Sequence, residues 1–205
     1  MAEITGISPQ KKDKTRCNIE VDGRFYCGMK LETAIKNRLK VGSVVSLEYL
    51  AELQLESEKT TALDKALMHI TSSMKTEKEI RDHLKRKGYL KDVCDHVIEK
   101  MKEYGFLNDG EYAKAFAESA KKREGKRMIA LKLRRKGVDE DEIERALDEL
   151  TGEEEAAAQI LNKYMRGKTP DRETLSKAYR HLLNKGYDYE IAKHALQTLG
   201  VDDEN

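Results

Sequence analysis

The side chains with which this chain could hold a metal or attack a substrate are few and scattered. Five histidines (His69, His83, His96, His181 and His194) form no HxxxH or HExxH pair, the spacings that set ligands for zinc on one helical face. Asp92 and His96 fall four residues apart, but on an amphipathic helix that spacing makes a surface pair. The three cysteines, Cys17, Cys27 and Cys94, are odd in number and never spaced CxxC, so reduced thiols in a cytosolic protein are expected. No glycine-rich turn of the dinucleotide or P-loop kind is present to cradle phosphates, and no serine stands in a GxSxG setting. A chain of this kind is expected to be no enzyme and to need no cofactor, metal or nucleotide.

What the sequence does concentrate is charge of one sign. Between Lys121 and Lys136 nine basic residues stand against Glu124 alone, and 137–155 then carries ten acidic residues against Arg145 alone. The net charge of the whole chain is only +1, so any affinity for a polyanion must come from such local clustering. Some of the cations have a plain stability role. Lys85, Arg86 and Lys87 in "LKRKG", and Arg134, Arg135 and Lys136 in "LRRKG", close expected helices. Cations there offset the helix macrodipole for about 0.3–1 kcal/mol each. Lys121, Lys122, Arg123, Lys126 and Arg127 instead straddle an expected helix start, where positive charge is unfavourable, and a partner surface accounts for them better. These eleven residues are the candidate partner-binding set. A phosphate backbone and a carboxylate-rich protein face would both reward them, and no aromatic platform interleaves them to read bases.

The elements that must carry these residues repeat. "LKRKG" at 84–88 returns as "LRRKG" at 133–137 and as "LLNKG" at 182–186, and 137 − 88 = 186 − 137 = 49 residues. Aligned on Gly88, Gly137 and Gly186, the positions four and eight residues earlier are Leu84, Leu133, Leu182 and Ile80, Ile129, Ala178, one apolar helical stripe. Downstream, Val97-Ile98, Ala146-Leu147 and Ala195-Leu196 agree, as do Met101, Leu150 and Leu199. Upstream, Leu63, Tyr112 and Leu161 align, followed by Leu67, Phe116 and Met165. Three helices therefore recur three times. Thr76 with Glu79 predicts a capping box, while Asn108, Asp139 and Thr169-Pro170 predict other helix starts. The glycines are expected to be left-handed C-caps.

With 38% charged residues, 39% hydrophobic and no Trp, a single deep core is not expected. The fold class is all-α: three tandem three-helix repeats forming an elongated curved body, with a small N-terminal segment containing a β-hairpin. The expected divisions are 1–57, 58–107, 108–152 and 153–205. In the first, Ile19, Val21, Phe25 and Cys27 alternate around Asp22-Gly23, a hairpin signal. Leu31 to Leu39 reads as a short helix, and "GSVVSLEYL" as either a third strand or a helix start. No apolar leader and no run of about 18 apolar residues is seen, so a cytoplasmic protein is expected.

"YGFLNDGEYAKAF" (104–116) followed by "GKRMIALKLRRKGVDEDEIERAL" (125–147) resembles the RecX family of bacterial RecA regulators. "TEKEIRDHLKRKGY" (76–89) and "AYRHLLNKGYDYEIAKHAL" (178–196) are similar to its first and third helical units, and "KVGSVVSLEYLAEL" to longer members. The resemblance implies binding along a RecA filament on single-stranded DNA, with loss of recombinase and co-protease activity. It implies a non-enzymatic modulator, expected as a monomer. The alternative is a helical-repeat protein that acts directly on nucleic acid.

Overall fold

The computed structural model describes residues 1–199. Backbone proximity divides the chain into two compact units, one of Met1–Ser73 with Ile80–Phe106, the other of Met74–Glu79 with the chain from Leu107 onward.

The first unit opens with β1 (Ala2–Pro9), β2 (Arg16–Val21) and β3 (Arg24–Lys30), then α1 (Leu31–Lys36), β4 (Val44–Val45) and α2 (Leu47–Ile70). The four strands form one antiparallel sheet in the order β3-β2-β1-β4. The sheet is larger than a two- or three-stranded hairpin, because β1 was hidden: a register shift between Ile4 and Gly6 breaks its apolar alternation. A second shift, between Ile19 and Glu20, corrects the expected hairpin pattern. Cys27 pairs with Ile19 and both are buried, whereas Phe25 pairs with Glu20 and points outward, 65% exposed. The ambiguous stretch is both things in turn. Val44–Val45 pairs with β1, and Ser46 then caps α2 by accepting from the Tyr49 N–H at 3.1 Å. Leu50 and Leu53 on α2 pack with Ile4, Ile19 and Met29, which gives the sheet the apolar cover a small sheet needs.

The rest of the chain is helical: α3 (Glu77–Arg86), α4 (Lys91–Glu103), α5 (Asp109–Ala120), α6 (Lys126–Arg135), α7 (Glu140–Asp148), α8 (Glu153–Met165), α9 (Arg172–Asn184) and α10 (Tyr189–Gln197). Three tandem repeats, α2–α4, α5–α7 and α8–α10, follow the expected register. The stripe residues Ile80, Ile129, Ala178, Leu84, Leu133 and Leu182 are all fully buried. Thr76 and Glu79 form the capping box, and Asn108 caps α5 by accepting from the Glu111 N–H. The start of α9 differs from expectation. Asp171, not Thr169, is its cap, since the carboxylate reaches the Thr174 N–H at 2.8 Å. Asp139 stands at the start of α7 but makes no side-chain capping bond.

The glycines are left-handed as expected, and two of them also carry the contact between successive repeats. The Lys185 carbonyl accepts from the Gly125 N–H at 3.0 Å, and the Gly186 carbonyl from the Arg127 N–H at 3.1 Å. The Glu153 carboxylate takes the Lys126 N–H at 3.1 Å. Three amide donors at the start of α6, which its own Gly125 has no side chain to cap, are thus satisfied by the third repeat. A Cβ on Gly125 would lie 2.5 Å from the Gly186 carbonyl group, so both chains must be bare here. The segment Met74–Glu79 meets the Lys136-Gly137 turn in the same register, 49 residues earlier. The Thr76 hydroxyl donates to the Lys136 carbonyl at 2.7 Å, Lys78 donates to the Arg135 carbonyl at 3.0 Å, and Lys136 pairs with Glu79 at 2.7 Å.

A candidate polyanion-binding cleft

The eight candidate cations of the second unit do not form one surface. Lys121 pairs with Glu118 at 2.6 Å, Lys126 lies 3.9 Å from Glu153, Lys136 is engaged by Glu79, and Arg134 grips Glu140 through two guanidinium nitrogens. Lys121, Lys122 and Arg123 also follow the end of α5, whose last helical residue is Ala120. Only Lys126 and Arg127 stand at a helix start, so the macrodipole objection applies to two residues of the five, and Glu153 answers it for one. Arg127 and Arg134 line a shallow groove with Met128 and Leu131. Lys85, Arg86, Lys87 and Arg135 are exposed or nearly so and have no ion pair among the described residues.

Lys122 and Arg123 go elsewhere. They enter a cleft of about 920 Å³ within the second unit, where Lys163 and Lys168 from α8 and its end, and Lys185 from the end of α9, join them. None of these five has an ion pair among the described residues. Lys132 also lines the cleft but is held by Glu124, the one carboxylate among the described lining residues. Five cations from three helix ends thus converge on one concavity with their charge uncompensated.

The wall is aromatic on one side. Tyr164 stacks on His181 with ring centroids 4.6 Å apart, and the Lys168 ammonium lies over the tyrosine ring, 3.3 Å from its centroid. Tyr164 is therefore half-buried cleft wall as well as packing. Burial, and then the charges of Lys185 and Lys168, hold the His181 pKa below its ordinary value, so the ring is neutral at pH 7. Below the cleft, Tyr187 is fully buried and its phenol is pushed up to about 12 by burial, then by Glu153 and Glu124. The arrangement concentrates positive charge on one concave face.

Sequence reasoning missed Lys163, Lys168 and Lys185 because it read charge as runs along the chain. The available signal was "KYMRGK" (163–168), a third basic helix end of the same kind as the others. All three cysteines are free and buried, and burial raises their pKa, that of Cys27 to about 11, which suits inert packing thiols. Among the described residues no three His, Cys, Asp or Glu side chains converge as a metal site would require, and no helix is long and apolar enough to cross a membrane.

Comparison with known proteins covers nearly the whole chain. The Regulatory protein RecX N-terminal domain matches residues 2–46, and the first, second and third three-helix domains of RecX match 62–101, 108–147 and 152–196. The chain is 34% identical to the Regulatory protein RecX of Clostridium perfringens, over 97% of each chain. It is 32% identical to that of Bacillus velezensis, over 96% of this chain and 77% of the other. A crystal structure of regulatory protein RecX shares the fold, with a TM-score of 0.75 at 24% identity over 96% of this chain and all of the other. RecX from Lactobacillus salivarius gives a TM-score of 0.65 at 25% identity, over 70% of this chain and 97% of the other.

Proposed function

The chain belongs to the RecX family, and from that premise we propose that it inhibits RecA recombinase and co-protease activity by binding along the RecA–DNA filament. The cleft of the second and third repeats is the surface that engages the filament. The observation that carries this reading is the set of five cations, Lys122, Arg123, Lys163, Lys168 and Lys185, gathered without carboxylate partners among the described residues. Such a set repels itself and costs stability, so a purely structural role gives no reason to assemble it. An anionic filament, with phosphates and acidic protein surface together, supplies the missing charge. No catalytic step is needed, since occupying the filament is enough to block strand pairing or subunit addition.

The test is co-sedimentation with RecA filaments on single-stranded DNA, beside the same DNA without RecA. Pelleting with filaments at concentrations that leave naked DNA unbound supports the proposal. Equal binding to both, with a steep salt dependence, would instead make the protein a direct DNA binder.

A further inference from the structure

The three glycine turns are alike in sequence and unlike in use. Lys136-Gly137 and Lys185-Gly186 each receive the start of the preceding repeat's middle helix, and the residue after each glycine is buried, Val138 at 5% and Tyr187 at 0% exposure. Lys87-Gly88 receives no helix start among the described residues. A Cβ on Gly88 would meet no atom within 4 Å, Lys85 to Gly88 are exposed, and Tyr89 is only half-buried. The position after that tyrosine is also unlike its counterparts. Leu90, 74% exposed, begins α4 where Asp139 and Asp188 begin α7 and α10. Leucine is among the poorest residues at a helix N-cap, so local stability does not explain it.

We infer that the Lys87-Gly88 turn, with Leu90 at its rim, is an interaction surface that takes the start of α9 from a second copy of this chain. The junction inside the molecule shows what such a turn accepts. The α3 start carries Glu77 and Glu79, and Glu79 is met by Lys136. An acidic helix start on a basic turn is thus a contact this fold already makes. The α9 start is the corresponding half at the other end of the repeats. It stands in the register of positions 76 and 125, and it carries Asp171, which caps the helix, and Glu173, whose one ion pair among the described residues is the exposed one with Lys177 of its own helix at 2.6 Å. It begins about one turn earlier than the register requires. The turn facing Asp171 and Glu173 would be Lys85, Arg86 and Lys87, which have no ion pair among the described residues, and exposed Pro170 would lie beside Leu90. The contact is head-to-tail, so it adds copies in a row rather than closing a pair. Without the covalent tether of the internal junctions it is weak, and isolated chains are monomeric at low concentration. It is independent of the cleft and of the filament.

Sedimentation velocity of the full chain at rising concentration and low salt tests it, with no RecA or DNA present. The weight-average sedimentation coefficient is expected to rise with concentration. Gly88→Asn should abolish the rise, because asparagine tolerates the left-handed backbone but puts a side chain where the helix start must come. Lys87→Glu and Glu173→Lys should each abolish it too, with melting curves like that of the original chain. Mixed, those two charge variants should recover the rise with concentration, since every contact between unlike copies again joins opposite charges. A coefficient independent of concentration in the original chain would overturn the inference. So would self-association left intact in the three variants, or a mixture that stays monomeric.

Discussion

Two regions of the second unit are built from the same basic residues and put them to opposite uses. At the junctions between repeats, Lys136 is matched to Glu79 and Lys126 to Glu153, and the backbone around Gly125, Gly137 and Gly186 approaches its neighbour too closely for a side chain. In the cleft, Lys122, Arg123, Lys163, Lys168 and Lys185 face one another with no such matches among the described residues. The difference teaches how to divide a charge-rich surface. Cations that are paired and half-buried lie where the repeats meet, whereas those gathered on the concave face have no such partner among the described residues, which is why the proposed function rests on them. Lys185 shows both uses in one residue, its carbonyl capping α6 while its ammonium lines the cleft.

The junction should break most severely at Gly186. Its φ of +92° is left-handed, and a Cβ there would press on the backbone and side chain of Met128. Gly186→Val adds backbone strain to steric overlap and is expected to cost roughly 3–5 kcal/mol, read from denaturant unfolding. Gly137→Val meets the Lys78 side chain, whose Cβ and Cδ lie 2.6 Å away, and none of the nearest atoms is backbone. About 1–3 kcal/mol is expected there. Gly88→Val adds strain alone, in open space, and about 1 kcal/mol should be lost. Equal costs at all three glycines would show that the turns are caps and nothing more.

A smaller effect follows from Glu79. Burial alone would raise its carboxyl, but the hydrogen bonds from Lys136 and the Thr76 N–H, with the charges of Lys136 and Lys75, outweigh that and leave it below the ordinary glutamate value of 4.5. A carboxyl depressed by folding stabilises fully above its unfolded pKa, and the contribution is lost as pH falls through the folded one. Glu79→Gln should therefore melt lower than the original chain at about pH 6, with the gap closing as the pH drops below about 4.5. A gap unchanged down to pH 3 would remove Glu79 from the account of the junction.

The cleft should show the smallest stability effect. Replacing its five cations with alanine is expected to change unfolding free energy by less than about 1 kcal/mol, with relief of repulsion giving a stabilising sign. His181 reports on the same site without mutation. An anion in the cleft offsets the positive field of Lys168 and Lys185, so the His181 titration followed by NMR should move upward when inorganic tripolyphosphate is added.

The repeat was legible in the sequence because its signal is periodic. Ile80, Ile129 and Ala178 keep one helical face through three copies, and all are buried. Strand β1 was not legible, because one bulged residue near Gly6 is enough to shift alternation to the other face. Nor was the second role of the glycines. Gly125 reads as a weak helix start, and its need to be bare arises only when Gly186, 61 residues away, is laid against it. The cleft failed for a related reason. Its cations come singly or in pairs from three helix ends, so no window along the chain holds more than part of the set, while the longest basic run, Lys121 to Lys136, is split among two faces and several carboxylates.

The claim that the cleft is the filament-binding surface is tested most directly by comparing two sets of substitutions in one binding assay. The first replaces Lys122, Arg123, Lys163, Lys168 and Lys185 with alanine, and the second replaces Arg127 and Arg134, which line the other groove. Affinity for RecA filaments on single-stranded DNA is measured at two salt concentrations, beside a melting curve for each protein. The cleft variant is expected to stay folded, to lose affinity on the order of 100-fold, and to lose most of its salt dependence. The second variant should bind within about threefold of the original chain. A folded cleft variant that binds like the original chain, or an equal loss in both variants, would contradict the assignment of the cleft.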